Sequence, residues 1–318
     1  MDFSFLDDLY VDIKPQTELS EFATFRLGGL CPCLITCQTP FQLENTVQRL
    51  AKRNIDFILI GGGSNLLVSD AGVDCVVVRY ISSPMVERQE NDIVVSGSTL
   101  LDALAQYALA QGLEGLNYTA GIPGTVGGAV VGNAGAFGKQ VGDVLDSVLL
   151  LDKKGVKREA KPESLGFRYR HSNLKETGDI VLGARFHLGP GNKTALVKER
   201  EEILETRRQK HPDLNRYPCA GSFFRNVEPT SAAEKRQAAG WFLEQAGAKD
   251  MRVGGAVIFS KHANIIIKSD GCLSQNVFDL SNLMAKAVKE KFNLALVREV
   301  RLIGSFEGMP REIKDYIW

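Results

Sequence analysis

Residues 121 to 138 read GIPGTVGGAVVGNAGAFG, in which seven of eighteen residues are glycine and four more are alanine or proline. Each glycine forgoes side-chain packing and costs backbone entropy on folding. Such a run marks a place where main chain bends tightly or approaches something closely. A second glycine turn, GGGSN at 61–65, follows the apolar stretch IDFILI (55–60), as a phosphate-binding turn follows its strand. This turn does not match the dinucleotide pattern G-x-G-x-x-G, and no Walker lysine follows it. Successive N–H groups in turns of this kind can form a concave anion site, particularly for a pyrophosphate. Ser64, Asn65 and Thr125 could add side-chain donors. Two tight turns with close strand packing would leave the same signature, so the residues alone leave both readings open.

The chain of 318 residues is long enough for two or three domains. Its formal charge is zero, so no bulk field favours nucleic acid or acidic lipid. The N-terminus MDFSFLDDLYVDIK lacks a basic region followed by an apolar run, and no stretch approaches the roughly 20 apolar residues that span a membrane. A cytoplasmic protein with no membrane or nucleic-acid partner is expected, and nothing points to an obligate assembly, so a monomer. Cys31, Cys33 and Cys37 form a C-x-C-x3-C cluster without a fourth ligand at zinc spacing or a nearby histidine. Buried, reduced cysteines and no metal are expected, with Cys31 and Cys33 on one strand face.

Helical spacing of Leu43, Val47 and Leu50 behind Pro40 predicts a helix over 40–54. Residues 55–60, 74–80 and 92–97 read as short strands. Ser98 is placed to cap a helix over 99–111, with Gly112 as its stop. VLDSVLLLDKKG reads as a strand and turn. After about residue 190, TALVKEREEILETRRQKHP is strongly helical, and Thr230 to Glu234 resembles a capping box opening a helix that runs to about Gln245. Ser274 is placed to cap another, with Val277, Leu280, Met284 and Val288 on one face. REVRLIG (298–304) reads as a final strand. Strands and helices mix without regular βαβ alternation, which predicts the α+β class.

FRLGG (25–29), GGGSNLLVSD (61–70), AGIPGTVGGA (120–129) and NAGAFG (133–138) resemble the FAD-binding domain of the vanillyl-alcohol-oxidase type. With YRHS (169–172), AGSFFRN (220–226), GWFLEQAGAKDMRVGGAVIFSKHANIII (240–267) and REVRLIG, the order resembles the UDP-N-acetylenolpyruvoylglucosamine reductase family, in its shorter subtype. The resemblance implies a two-part FAD-binding domain over 1–190, with subdomains at about 17–80 and 81–190. A smaller α+β substrate-binding domain over 191–304 and a tail over 305–318 would follow. It implies FAD contacts at Gly61, Gly62, Gly63, Ser64, Asn65, Gly121, Pro123, Gly124, Thr125 and Gly128, with Arg26 and Gly28 as further candidates. Related flavoproteins often tether FAD through histidine; none lies in GGGSN or FRLGG, so non-covalent FAD is expected.

The reaction implied is reduction of FAD by NADPH, then reduction of UDP-N-acetylglucosamine enolpyruvate to UDP-N-acetylmuramate. Hydride reaches the terminal CH2 carbon, charge spreads into the carboxylate, and a proton completes the adjacent carbon. Such chemistry asks for donors on the carboxylate and an acid beside the carbanionic carbon. By resemblance, Ser222 is the proton donor and Arg170 the guanidinium fork that holds the carboxylate. Glu299 shares a proton with that carboxylate or polarises the developing enolate. Tyr169, Asn226 and His262 are expected at the substrate, with Lys261 or Arg225 near its diphosphate. The chain departs from the family's usual pattern at Val227, Gly132 and Cys219.

Overall fold

The computed structural model of the chain describes residues 2–82, 86–229 and 235–309. The expected capping box at Thr230–Glu234 and most of the C-terminal tail therefore lie outside the described residues. In chain order the first unit holds β1 (Asp12–Glu18), β2 (Leu30–Cys37), α1 (Pro40–Lys52), β3 (Phe57–Ile60), β4 (Leu66–Val68) and β5 (Val76–Tyr80). β1, β2, β5 and β3 form one sheet in that spatial order, antiparallel at β1 and parallel elsewhere. Thr39 starts α1 by accepting from the Gln42 N–H at 3.0 Å, and Pro40 occupies the first turn, where no N–H is needed. The predicted stripe of Leu43, Val47 and Leu50 is fully buried against the sheet. Cys33 and Cys37 join that core. Cys31 packs in a neighbouring core with Leu19 and Leu34.

The second unit holds β6 (Val86–Gln89), β7 (Asp92–Ser96), α2 (Leu101–Ala110), α3 (Val126–Gly132), β8 (Leu145–Leu151), β9 (Lys157–Ala160), α4 (Leu174–Thr177), β10 (Ile180–His187) and α5 (Lys193–Lys210). Its sheet runs β9-β8-β10-β7-β6, antiparallel throughout. Ser98 does not cap α2: Leu100 precedes the helix and makes no side-chain cap bond. The Ser98 hydroxyl is engaged instead with Ser82 at 2.7 Å and Ser96 at 3.1 Å, a local network that outcompetes the helix N–H groups. Beyond the boundary drawn at 190, α5 still packs on this unit. Arg200 holds Asp102 of α2 at 2.8 Å, and Asn117 donates to the Leu196 carbonyl at 2.7 Å.

The third unit holds α6 (Ala239–Gln245), β11 (Arg252–Val253), β12 (Ala256–Ile258), β13 (Ile266–Lys268), α7 (Ser274–Phe292) and β14 (Arg301–Ile303). β11, β12 and β13 form a small antiparallel sheet. Val277, Leu280, Met284 and Val288 line the buried face of α7, as their spacing predicts. The units interlock. β14 leaves the third unit to pair in parallel with β4, placing Arg301, Leu302 and Ile303 beside Leu66, Leu67 and Val68. Phe25, Leu27 and Leu67 enter the core of the third unit in return.

Ser274 does not cap α7 with its hydroxyl. The carboxylate of Asp70, from the first unit, accepts the Ser274 and Gln275 N–H groups at 2.8 and 2.9 Å. A carboxylate there also complements the positive end of the helix. Replacing Asp70 by Ala is expected to lower stability by about 1 kcal/mol, read as a reduced midpoint with unchanged slope in denaturant titration. A loss of under a few tenths of a kcal/mol would show that water serves α7 equally well.

Candidate active site

The two glycine turns stand against each other. A Cβ on Gly62 would lie 3.1 Å from the Gly124 Cα, and one on Gly61 would lie 2.8 Å from Thr125 Oγ1. A Cβ on Gly124, at φ +116°, would lie 2.8 Å from Ser64 Oγ, and that hydroxyl donates to the Pro123 carbonyl at 3.1 Å. Gly63 adopts φ +63°, and a methyl there would come within 1.9 Å of the Phe22 carbonyl. Much of the glycine content thus serves contact of main chain with main chain. Gly128 and Gly132 differ. On α3 a methyl would meet nothing at Gly132 and only Thr125 Oγ1, at 3.5 Å, at Gly128. The protein's own packing does not require glycine there, and the helix face keeps open room. Gly121 donates its N–H to Asp102 at 2.8 Å, and its α-carbon abuts Arg207. Gly28 packs on Val68, and the Arg26 carbonyl accepts from Lys268 at 2.8 Å.

Arg170 sits at the tip of a two-residue turn closed by reciprocal backbone bonds between Arg168 and His171, each 3.1 Å. Its φ of 55° is left-handed, an uncommon state for a residue with a side chain. From there Nε reaches within 2.9 Å of Glu299 Oε1. The contact is an ion pair rather than an aligned hydrogen bond, since the same N–H has no hydrogen-bond partner among the described residues. Glu299 in turn donates its backbone N–H to the Phe223 carbonyl at 2.9 Å, beside Ser222. Phe224 bridges Arg298, and Ser222 bridges Ile265. Asn65 completes the junction: its side chain donates to the Glu299 carbonyl at 3.0 Å, and its own carbonyl accepts from the Arg301 N–H at 3.0 Å. Segments 61–65, 169–170, 222–224 and 299–301 therefore meet at one place.

The expected substrate contacts hold protein partners. Tyr169 Oη accepts from the Asn226 N–H at 3.4 Å, and its ring lies between Arg170 and Arg236, 5.4 and 4.0 Å from its centroid. The Asn226 side chain accepts from the Ala239 N–H at 3.2 Å, at the start of α6. His262 Nδ1 accepts from the Asn264 N–H at 3.2 Å, and its ring is 5.8 Å from that of His211.

Several buried polar atoms on these segments have no hydrogen-bond partner among the described residues: Arg79 Nε, Thr99 Oγ1, Tyr118 Oη, Arg207 Nε and Arg225 Nε. Buried polar groups are paired almost without exception in native proteins. Arg79 lies on β5 opposite Ile60, the residue before GGGSN, and Tyr118 and Arg207 flank Gly121. Unmet donors around an open helix face fit a bound anionic cofactor such as FAD. The electrostatics agree. Burial raises the Tyr118 phenol above its usual range, with Asp143 adding and Arg170 opposing. Burial lowers the Lys175 ammonium to about 8, helped by Arg225 and Arg301 and opposed by Glu299. Sequence reasoning missed Lys175 and Tyr118, whose significance rests on desolvation and on neighbours remote in the chain. Among the described residues, no group of three His, Cys, Asp or Glu is placed to hold a metal.

His211 lies against Arg207, His262 and Lys210, and burial lowers its pKa from 6.5 to about 4. The folded state therefore binds fewer protons than the unfolded chain, and stability is lost as pH falls from about 6.5 towards about 4. His211→Gln is expected to flatten that part of a stability–pH profile measured by denaturation. An unaltered slope would assign it to other groups.

Residues 212–303 match the family described as UDP-N-acetylenolpyruvoylglucosamine reductase, C-terminal domain, and residues 31–160 match an FAD binding domain. A UDP-N-acetylenolpyruvoylglucosamine reductase of Lactobacillus acidophilus is 34% identical over 92% of this chain and 96% of its own length. The enzyme of that name from Clostridium novyi is 32% identical over 92% of each. The crystal structure of UDP-N-acetylenolpyruvylglucosamine reductase from Thermus caldophilus superposes with a TM-score of 0.77 at 29% identity, covering 93% of this chain and all of that one. No helix among the described residues is long and apolar enough to cross a membrane. On sequence and fold together, the chain belongs to the UDP-N-acetylenolpyruvoylglucosamine reductase family.

Proposed function

We propose that the protein reduces UDP-N-acetylglucosamine enolpyruvate to UDP-N-acetylmuramate, a precursor of peptidoglycan, with electrons from NADPH passed through non-covalent FAD. The observation that carries this reading is the meeting of Arg170, Glu299 and the Ser222 segment beside the two glycine turns. Bound FAD would supply the two-electron hydride chemistry that links NADPH to the substrate's terminal carbon. The FAD-holding residues are Gly61 to Asn65 in the first turn and Gly121, Pro123, Gly124, Thr125 and Gly128 in the second. Arg26 and Gly28 are further residues that would hold FAD. The first two units, with α5, serve the cofactor and lend Tyr169 and Arg170 to the substrate, which the third unit otherwise serves. The enzyme acts as a cytoplasmic monomer, where its nucleotide-linked substrate and NADPH both occur.

Arg170 binds the substrate carboxylate, and its hold strengthens as negative charge develops there. Glu299 fixes the guanidinium through the 2.9 Å contact, so the fork meets the carboxylate already oriented. This adds an orienting task to the proton-sharing or polarising role expected of Glu299. Ser222 gives its proton to the carbon next to the carboxylate. A serine hydroxyl is a weak acid, but an enolate-like carbon is a strong enough base to take its proton. Tyr169 steadies Arg170 through its ring, while Asn226 and His262 shape the substrate side.

Replacing Ser222 by Ala is expected to leave flavin reduction by NADPH near the wild-type rate and to slow reduction of the sugar nucleotide by roughly 10²–10⁴-fold. Stopped-flow measurement of the two half-reactions separates them. Equal loss in both would trace the defect to cofactor binding and remove Ser222 as the acid.

A further inference from the structure

Arg170 carries a cost that its own side chain does not explain. A non-glycine residue at φ 55° is held there by its surroundings. Two sets of contacts act on it: the reciprocal Arg168–His171 bonds close the turn, and Lys175 Nζ donates to the Arg170 carbonyl at 2.7 Å. Lys175 belongs to α4, and the segment leading into that helix is pinned independently. Ser172 Oγ donates to the Val131 carbonyl at 2.7 Å, and the Asn173 N–H to the Leu165 carbonyl at 2.8 Å. The lysine therefore acts on this turn from a base that is itself tied down. Its ammonium is buried near Arg225, Arg301 and Arg170 as well as Glu299.

We propose that Lys175 is a positioning residue for Arg170, holding its carbonyl so that the backbone stays left-handed and the guanidinium stays on Glu299, ready for the substrate carboxylate. The proposal rests on the reduction reading above and adds to it the residue that sets carboxylate recognition. Lys175 touches neither the carboxylate nor the reacting carbons.

The test compares wild type with Lys175→Met, Lys175→Arg and Lys175→Met in an Arg170→Ala background, each as purified flavoprotein. Affinity is read from flavin absorbance on titration with UDP-N-acetylglucosamine enolpyruvate and with UDP-N-acetylglucosamine, which lacks the carboxylate. Lys175→Met is expected to weaken binding of the first by about tenfold or more and to leave the second unchanged. It should slow the oxidative half-reaction by about 10²-fold while NADPH still reduces the flavin. Lys175→Arg, which keeps a donor, should recover part of the loss. In the Arg170→Ala background the lysine substitution should add little. Additive losses would mean that Lys175 acts directly on substrate and would overturn the proposal, as would a Lys175→Met crystal structure in which Arg170 kept its left-handed backbone. If Lys175→Met does not retain flavin, Lys175→Gln carries the same expectations, and failure of both to fold would make Lys175 a folding residue and defeat the proposal. A wild-type protein whose reduced flavin ignores the enolpyruvyl substrate would refute the reduction reading itself, with the backbone of Arg170 in Lys175→Met still deciding the positioning claim.

Discussion

The parallel pairing of Leu66–Val68 with Arg301–Ile303 is the constraint on which the site depends. A three-residue strand from the end of the chain is carried back to the first glycine turn. Asn65, immediately before the pairing begins, binds the Glu299 carbonyl and the Arg301 N–H. The turn and the carboxylate are thereby fixed relative to each other by main-chain geometry, more rigidly than flexible side chains could manage. Glu299 then fixes Arg170, and the Glu299–Phe223 backbone bond fixes the segment bearing Ser222. Removing the pairing would part the first glycine turn from the segments that bear Ser222 and Glu299.

The units share cores as well as bonds. Phe25, Leu27 and Leu67 are buried among residues of the third unit, and Asp70 caps α7 from the first. Leu151, Ile180 and Leu182, from the second unit, complete the core beneath α1. Burial across these seams makes relative displacement expensive, since apolar area would return to water. A site assembled from all three units needs that stiffness, because a positional error of about 1 Å in a binding group can cost about 10²-fold in rate.

What local pattern determines was legible in the sequence. The buried stripe of α1 and the Val277–Val288 face of α7 follow from helical spacing, and the short apolar strands from their composition. The glycine turns announced close approach, although part of what approaches is the other turn: Gly62 meets Gly124 and Gly61 meets Thr125. Long-range competition was not legible. Ser98 is a good capping residue whose hydroxyl is taken by Ser82 and Ser96, and Ser274 is displaced by a carboxylate 204 residues earlier in the chain. Arg170, Ser222 and Glu299 stood out only through resemblance, since each alone reads as an ordinary polar residue. The depressed Lys175 ammonium owes part of its shift to Arg225, Arg301 and Glu299, which no short window of sequence contains.

Arginine, glutamate and serine brought together beside a cofactor cradle define a site for a carboxylate-bearing alkene, and that match of site to substrate is the central claim. It is tested most directly by anaerobic mixing of the NADPH-reduced protein with UDP-N-acetylglucosamine enolpyruvate while flavin absorbance is followed. Rapid return of the oxidised spectrum with formation of one UDP-N-acetylmuramate per flavin is predicted. A flavin that stayed reduced with this substrate, and was reoxidised only when oxygen was admitted, would contradict the account.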